Sequence, residues 1–461
     1  MSGTDGSDKI SDALGPLGDR LIDFVDAGLS SGDLKQSPEL FFQWQAFDPK
    51  DTEVGPEIVQ SSRLSTVRQT WTRAKLRVLT AAHSWPEYAA SEAALPFEVG
   101  RTRSLTDWFT LNLANALLND AARPSPALAT LMDGAKKVVE GEPSRARATI
   151  DLDGVQVASP GLGITIGGTA ISLRRPELSD IQPEMDEHTA MLEGHSIGLR
   201  PLAALATIEV DWTSPITLRV EVERLQSLLR LFAVSSARYI RVREELIAPV
   251  SESMGILRTG TGDHSYERTV IRPEHLQRLQ SMASALWTNL PIGPAGPTEP
   301  EPTPVTTAFR RYCDALLRDG GLLERRFASA VMGLESLYLP AKQDGELSFR
   351  LRTSVGRVMG ELGFDGDRVE AEVAYCYGVR SAYVHGGHLG GKLRKSGEKK
   401  FGHLPALLRR LLDYLRISIV VALVIPVSKD DFTKIINSAM VSSKGAASLA
   451  QLLQPTLNLV K

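Results

Sequence analysis

Residues 377–388 read YGVRSAYVHGGH, which sets Arg380 and His385 five positions apart, with Ser381 between them and two glycines beyond. Imidazole is the side chain that exchanges a proton near neutral pH. Guanidinium forks phosphate oxygens in a bidentate way and compensates charge developing on them. Together they could cleave RNA by attack of a 2′-hydroxyl on the adjacent phosphate, a reaction that requires no metal. Ser381 adds a hydroxyl able to orient either group or the scissile phosphate. A structural reading stands beside this one. The helix dipole favours a histidine in the last turn, and an arginine one turn earlier is ordinary. The same loose spacing recurs at Arg77/His83, Arg258/His264 and Arg268/His275, so spacing alone is not specific.

In a straight helix five residues turn the chain by about 500°, leaving Arg380 and His385 about 140° apart. Gly386 and Gly387 permit the left-handed turn that ends helices, which puts His385 in the last turn. There the imidazole can leave the helix axis while Arg380 reaches along it, and a second copy of the helix across a two-fold axis would bring the groups onto one anion. Glu335, in GLESLYLP, could orient Arg380 by an ion pair or form a bridge within a bundle. Arg350 and Arg352 could extend a basic groove or form a solvated helix face. Tyr375 and Tyr383 could stack on an unpaired base, or pack. The run GGKLRKSGEKK, just after His388, reads as a flexible loop whose Lys392, Arg394, Lys395, Lys399 and Lys400 attract RNA.

The elements that must position these groups form an α+β chain: a mixed N-terminal region with antiparallel β-sheet and helices, then an all-α helical bundle. PIGPAGPTEPEPTP, residues 291–304, has six prolines in fourteen positions. Proline fixes φ and removes a backbone donor, so this stretch reads as a semi-rigid spacer between a region 1–290 and a bundle 305–430. Residues 431–461 read as a helical extension, with an ambiguous end. Residues 61–82 and 104–122 carry helical spacing. Strands concentrate in 146–250, in RATIDLDGVQVAS, GITIGGTAISLRR, ATIEVDW and ARYIRVREELI, interrupted by a helix from Ser214 with Pro215 in its first turn. LRTGTGDHSYERT, residues 257–269, reads as a mobile loop rather than a nucleotide cradle. Beyond 304, five long helical segments with short connections favour a bundle.

Composition sets outer limits. The 461 residues are 43% apolar and 23% charged, with a formal net charge of −3. There is no global drive toward nucleic acid or an anionic membrane, so RNA contact must come from local basic patches. Cys313 and Cys376 are the only cysteines, which suits a reducing cytosol and leaves no thiolate cluster for a metal. The first residues lack a secretory pattern. The apolar run 417–427 is shorter than the roughly 20 residues a bilayer needs. These features predict a cytoplasmic chain with no membrane contact, no cofactor and no metal.

Three blocks in order, MGLESLYLP, GELSFRLRTSVGRVMG and YCYGVRSAYVHGG, resemble the C-terminal HEPN domain of the ApeA-like family. ERLQSLLRLFAVSSARYIRV resembles part of that family's β-rich N-terminal domain. The resemblance implies a four- to five-helix bundle that pairs with a second copy. It also implies a metal-independent endoribonuclease of the kind used in phage defence, abortive infection and toxin–antitoxin systems. Carried over by position, Arg380 would bind and polarise the phosphate and His385 would act as acid, base or transition-state donor. Ser381 occupies the position where many relatives carry Asn, Asp or His. The N-terminal region would then respond to a phage-derived or small-molecule trigger.

Two other readings stay open. The bundle could be a non-catalytic dimerisation and RNA-binding platform. A β region that binds a small molecule or glycan should show clustered aromatics in its strands, yet Trp212 is the only tryptophan between 146 and 246.

Overall fold

The computed structural model describes residues 5–34, 44–47, 57–61, 77–99, 103–119, 124–158, 160–176, 204–213, 215–258, 268–292, 302–317, 322–340, 346–387 and 389–460. The centre of the proline-rich stretch (293–301), most of the glycine-rich loop (259–267), residues 62–76 and His388 lie outside these.

The chain starts with α1 (Asp5–Ser31), whose Leu14, Leu17, Leu21 and Val25 recur at helical spacing and are buried. A hairpin follows, β1 (Trp44–Phe47) with β2 (Glu57–Ser61), so Ser61 closes a strand, whereas residues 77–82 are helical. Then come α2 (Pro86–Ala94), the short pair β3 (Glu98–Val99) and β4 (Arg103–Ser104), α3 (Leu105–Asn119) and α4 (Pro124–Val139). Helices α1, α3 and α4 pack on one another around Trp108, Phe109 and Leu113, forming a core of their own.

The second part is the sheet. β5 (Arg145–Asp153) buries Ala146, Ala148, Ile150 and Leu152, the period-2 pattern of a strand with one face on a core. With β6 (Val155–Val157), β7 (Leu162–Ile166), β8 (Thr169–Arg174), β9 (Ala204–Asp211), β10 (Arg238–Ala248) and β11 (Glu252–Arg258) it builds the β layer. The main sheet has six strands in the order β11-β10-β5-β9-β8-β7, and every neighbouring pair is antiparallel. β6 pairs separately, in parallel, with β12 (Thr269–Ile271). Between β9 and β10 runs α5 (Pro215–Phe232), begun by Pro215 and packed on β5 and β9. After β12 comes α6 (Leu276–Leu286), which packs on β7 and α5.

The third part is helical: α7 (Pro304–Leu317), α8 (Leu323–Tyr338), α9 (Leu347–Glu361), α10 (Gly366–Val384), α11 (Gly391–Phe401), α12 (Leu404–Val424), α13 (Lys429–Val441), α14 (Ser443–Leu453) and α15 (Leu457–Val460). Helix α8 is central and touches α7, α10 and α12; α9 lies against α10, and α13 and α14 cover α9. The apolar run 417–427 falls mainly in α12, where Leu411, Leu415, Ile417, Ile419, Val420 and Val421 are buried core. No single helix among the described residues is long and apolar enough to cross a membrane; α12 and α13 pass such a test only as a pair bent by 115°.

One apolar core runs from the sheet into the bundle and includes Ile150, Leu225, Leu279, Leu334 and Leu411. Hydrogen bonds fasten the same junction. Arg416 of α12 donates to the Leu231 carbonyl at 2.7 Å, and the Tyr312 hydroxyl donates to the Arg230 carbonyl at 2.9 Å.

Candidate active site

Helix α10 carries the Arg380/His385 segment. It begins where the Asp365 carboxylate accepts the Arg368 backbone N–H at 3.1 Å, satisfying a donor that the first turn leaves open. Val369, Val373, Cys376 and Val379 form its buried stripe. It ends in the paired hydrogen bonds of a Schellman turn. Gly386, at φ +77°, donates to the Tyr383 carbonyl at 3.1 Å, and Gly387 donates to Ala382 at 2.8 Å. A Cβ on Gly387 would lie 2.9 Å from the Ala382 oxygen, so both glycines are required by the turn. His385 is the capping residue, exposed, and its ring has no partner among the described residues.

Arg380 sits one turn earlier and faces inward. Its Nη2 donates to Oε2 of Glu335 on α8 at 3.1 Å, with the two side chains 23% and 17% exposed. Its guanidinium lies 5.7 Å from the Tyr377 ring centroid, a contact that holds the fork in place. The Arg380 Nε is buried and has no hydrogen-bond partner among the described residues, so Glu335 does not saturate the fork. Burial pushes the Glu335 carboxyl above the usual carboxylate range, and the Arg380 charge draws it part of the way back.

Ser381 is half-buried, and its backbone carbonyl accepts the His385 N–H at 3.1 Å. Tyr383 is half-buried in the same last turn. Arg350, on α9, is half-buried, and no hydrogen bond or ion pair joins it to Arg380, His385 or Glu335. Arg352 instead stacks over Phe349 at 5.2 Å. Val384 and Phe349 are exposed apolar residues near these groups in sequence.

The basic run departs from its reading as a flexible loop. It forms α11, with Lys392, Lys395, Lys399 and Lys400 exposed and Arg394 bound to Glu398 at 3.1 Å, one turn away. The cause is an apolar stripe at four-residue spacing: Leu393, Gly397 and Phe401. Gly397 is buried flat against Tyr375, whose hydroxyl donates to the Leu393 carbonyl at 3.2 Å and whose ring lies 5.4 Å from Phe401. Tyr375 is therefore a packing residue, occupied by α11. The lysines stand on a docked helix instead of a free tether.

A cluster that sequence reading overlooks lies two turns before Arg380. Glu372 is fully buried, and its carboxylate accepts Arg368 Nε at 3.0 Å, Arg410 Nε at 2.9 Å and the Tyr414 hydroxyl at 2.9 Å. The available signal was an acid lying within the apolar stripe of α10. Among the described residues no group of three or more His, Cys, Asp or Glu could hold a metal ion. No family profile, curated protein or solved structure matches the chain.

Proposed function

We propose that the chain is a metal-independent endoribonuclease of the HEPN type that cuts RNA as a homodimer in the cytoplasm. Its role would be anti-phage defence, abortive infection or toxicity, with the N-terminal region holding it quiet until a phage-derived or small-molecule trigger arrives. The observation that carries the reading is the contrast at one helix end. Arg380 is anchored by Glu335, and among the described residues its Nε is unmet and the exposed His385 ring, one turn on, has no partner. Arg380 holds a non-bridging phosphate oxygen. One imidazole takes the 2′-hydroxyl proton as that oxygen attacks phosphorus, and the 5′-oxygen leaves with a proton supplied by the other copy's imidazole. The products are a 2′,3′-cyclic phosphate and a 5′-hydroxyl. Ser381 orients the pair, and Lys392, Arg394 and Lys395 draw the RNA backbone along α11.

A second reading, a non-catalytic RNA-binding and dimerisation platform, is favoured by one observation: the Arg380 fork points at Glu335. The two separate when end-labelled tRNA and mRNA are incubated with the full chain in excess chelator, beside His385→Ala and Arg380→Ala. Cleavage by the parent alone, leaving cyclic phosphate ends, supports the nuclease. RNA retained equally by all three without cleavage supports the platform, and cleavage that both variants retain sinks both roles assigned to the motif.

A further inference from the structure

Where α11 docks on α10, three helices frame a groove of about 460 Å³. Arg352 enters it from α9, Asp367 and Glu370 from the first two turns of α10, and Lys400 from α11. Nearby charges on the same helices are paired one turn away: Arg357 with Glu361, Arg368 with Glu372 and Arg394 with Glu398. The four groove charges are not. Among the described residues none of these side chains makes a hydrogen bond or an ion pair.

Rings, rather than counter-charges, place both cations. The Arg352 guanidinium lies 5.2 Å from the Phe349 ring centroid, and the Lys400 ammonium lies 5.2 Å from that of Phe401. The Arg352 Nε is buried and has no acceptor. A buried donor left in that state is destabilising, so an oxyanion reaching it gains a bond the protein does not supply. Asp367 and Glu370 are three positions apart and share one face of α10. The Glu370 stem is pressed against α9, where a Cβ on Gly356 would lie 2.4 Å from its Cγ, so this carboxylate is also held in place. One wall is the half-buried Tyr375 ring, fixed by its bond to the Leu393 carbonyl at 3.2 Å and by Phe401, 5.4 Å away.

The balance of charge selects the ligand. An RNA backbone would meet two carboxylates in this groove, and a polyamine would meet two cations. A divalent cation would find only two carboxylates, and among the described residues no group of three or more His, Cys, Asp or Glu could hold a metal ion. A molecule with one carboxylate and one ammonium answers both signs at once. We propose that this groove binds a free amino acid, its carboxylate on Arg352 and Lys400, its ammonium on Asp367 and Glu370, and its side chain on the Tyr375 wall. The volume lies within the range of small-molecule sites. All three helices contribute, so an occupied groove holds α11 against α10. The binding does not rest on the ribonuclease reading, and its test reads heat rather than cleavage.

The experiment is calorimetric titration of the full chain with L-phenylalanine, whose ring suits the Tyr375 wall. Phenethylamine and phenylacetate, which lack its carboxylate and its ammonium, are titrated beside it. The same titrations are run on Arg352→Gln and on Glu370→Gln, which keeps the stem packed on Gly356. The expected result is saturable 1:1 binding of L-phenylalanine, weakened about tenfold or more by either analogue or either variant, as loss of one charge-assisted hydrogen bond requires. Each unliganded variant should melt within about 2 °C of the parent. Absence of saturable heat with L-phenylalanine would overturn the proposal. So would either analogue binding as tightly as L-phenylalanine, or binding that either variant leaves unchanged.

Discussion

Glu335 on α8 and Arg380 on α10 meet at 3.1 Å, joined across 45 positions of chain. The contact makes the orientation of the motif arginine a property of two helices rather than one. A carboxylate half out of water is a costly anchor, and the guanidinium offsets part of that cost.

If the pair works as proposed, His385→Ala lowers RNA cleavage by about 10²- to 10⁴-fold, the span of a general acid–base group. The exposed ring should leave stability within about 0.5 kcal/mol of the parent. Arg380→Ala should lose activity as well and also lower the melting temperature, because it strands Glu335. Cleavage assays paired with thermal melts on the same preparations check both halves.

Stability should respond to pH through Glu335 with a definite sign. Burial raises this carboxyl in the folded protein above its unfolded value, so the folded state holds the proton more tightly. Its contribution is greatest below the unfolded value and declines as pH rises through the raised one. The melting temperature of the parent minus that of Glu335→Gln should therefore shrink as pH rises above the usual carboxylate value of about 4. A gap that widens with pH would mean that Arg380 outweighs burial.

Glu372→Ala should be among the most damaging single substitutions. It removes the acceptor for Arg368, Arg410 and Tyr414 at a fully buried site, and breaking such a buried charged network costs about 3–5 kcal/mol. Urea denaturation measures it. Glu372→Gln, which keeps an acceptor oxygen, should fall between the parent and Glu372→Ala.

Gly397→Ala should undock α11 without unfolding the bundle. A Cβ there would meet the Tyr375 hydroxyl at 2.2 Å, inside any contact that real atoms make. Hydrogen exchange should show faster amides across 391–401 and little change in α8 or α12. RNA retention at low salt would fall if the α11 lysines act from a fixed position.

Much of this architecture was legible in the residues. The alternation in β5 and the turn glycines between β7 and β8 announce a sheet, because burying one face needs period two. The double glycine after His385 announces its helix end, because only a residue tolerant of positive φ closes a Schellman turn cheaply. Helix α11 was not legible: Gly390, Gly391, Gly397 and many charges mask the Leu393–Gly397–Phe401 stripe, and a helix made by docking carries little local propensity. The Glu372 cluster was hidden for another reason, since Arg410 and Tyr414 lie 38 and 42 positions away. Long-range partners of this kind leave no periodic trace. The proline count of 291–304 likewise gave no sign that apolar residues on either side of that stretch would share a core.

That shared core has a consequence for how the protein is born. The Leu231 carbonyl waits 185 positions for the Arg416 guanidinium that caps it. At ribosomal speeds of roughly 5–20 residues per second, the interval is about 10–40 s. For the first part of that time α5 stands without the bundle beside it, until α7 brings the Tyr312 hydroxyl to the Arg230 carbonyl, 82 positions on. Helix α10 leaves the ribosome before α12, so the Arg380/His385 helix meets α8 and α9 first and gains its α12 partners, Arg410 and Tyr414, only afterwards.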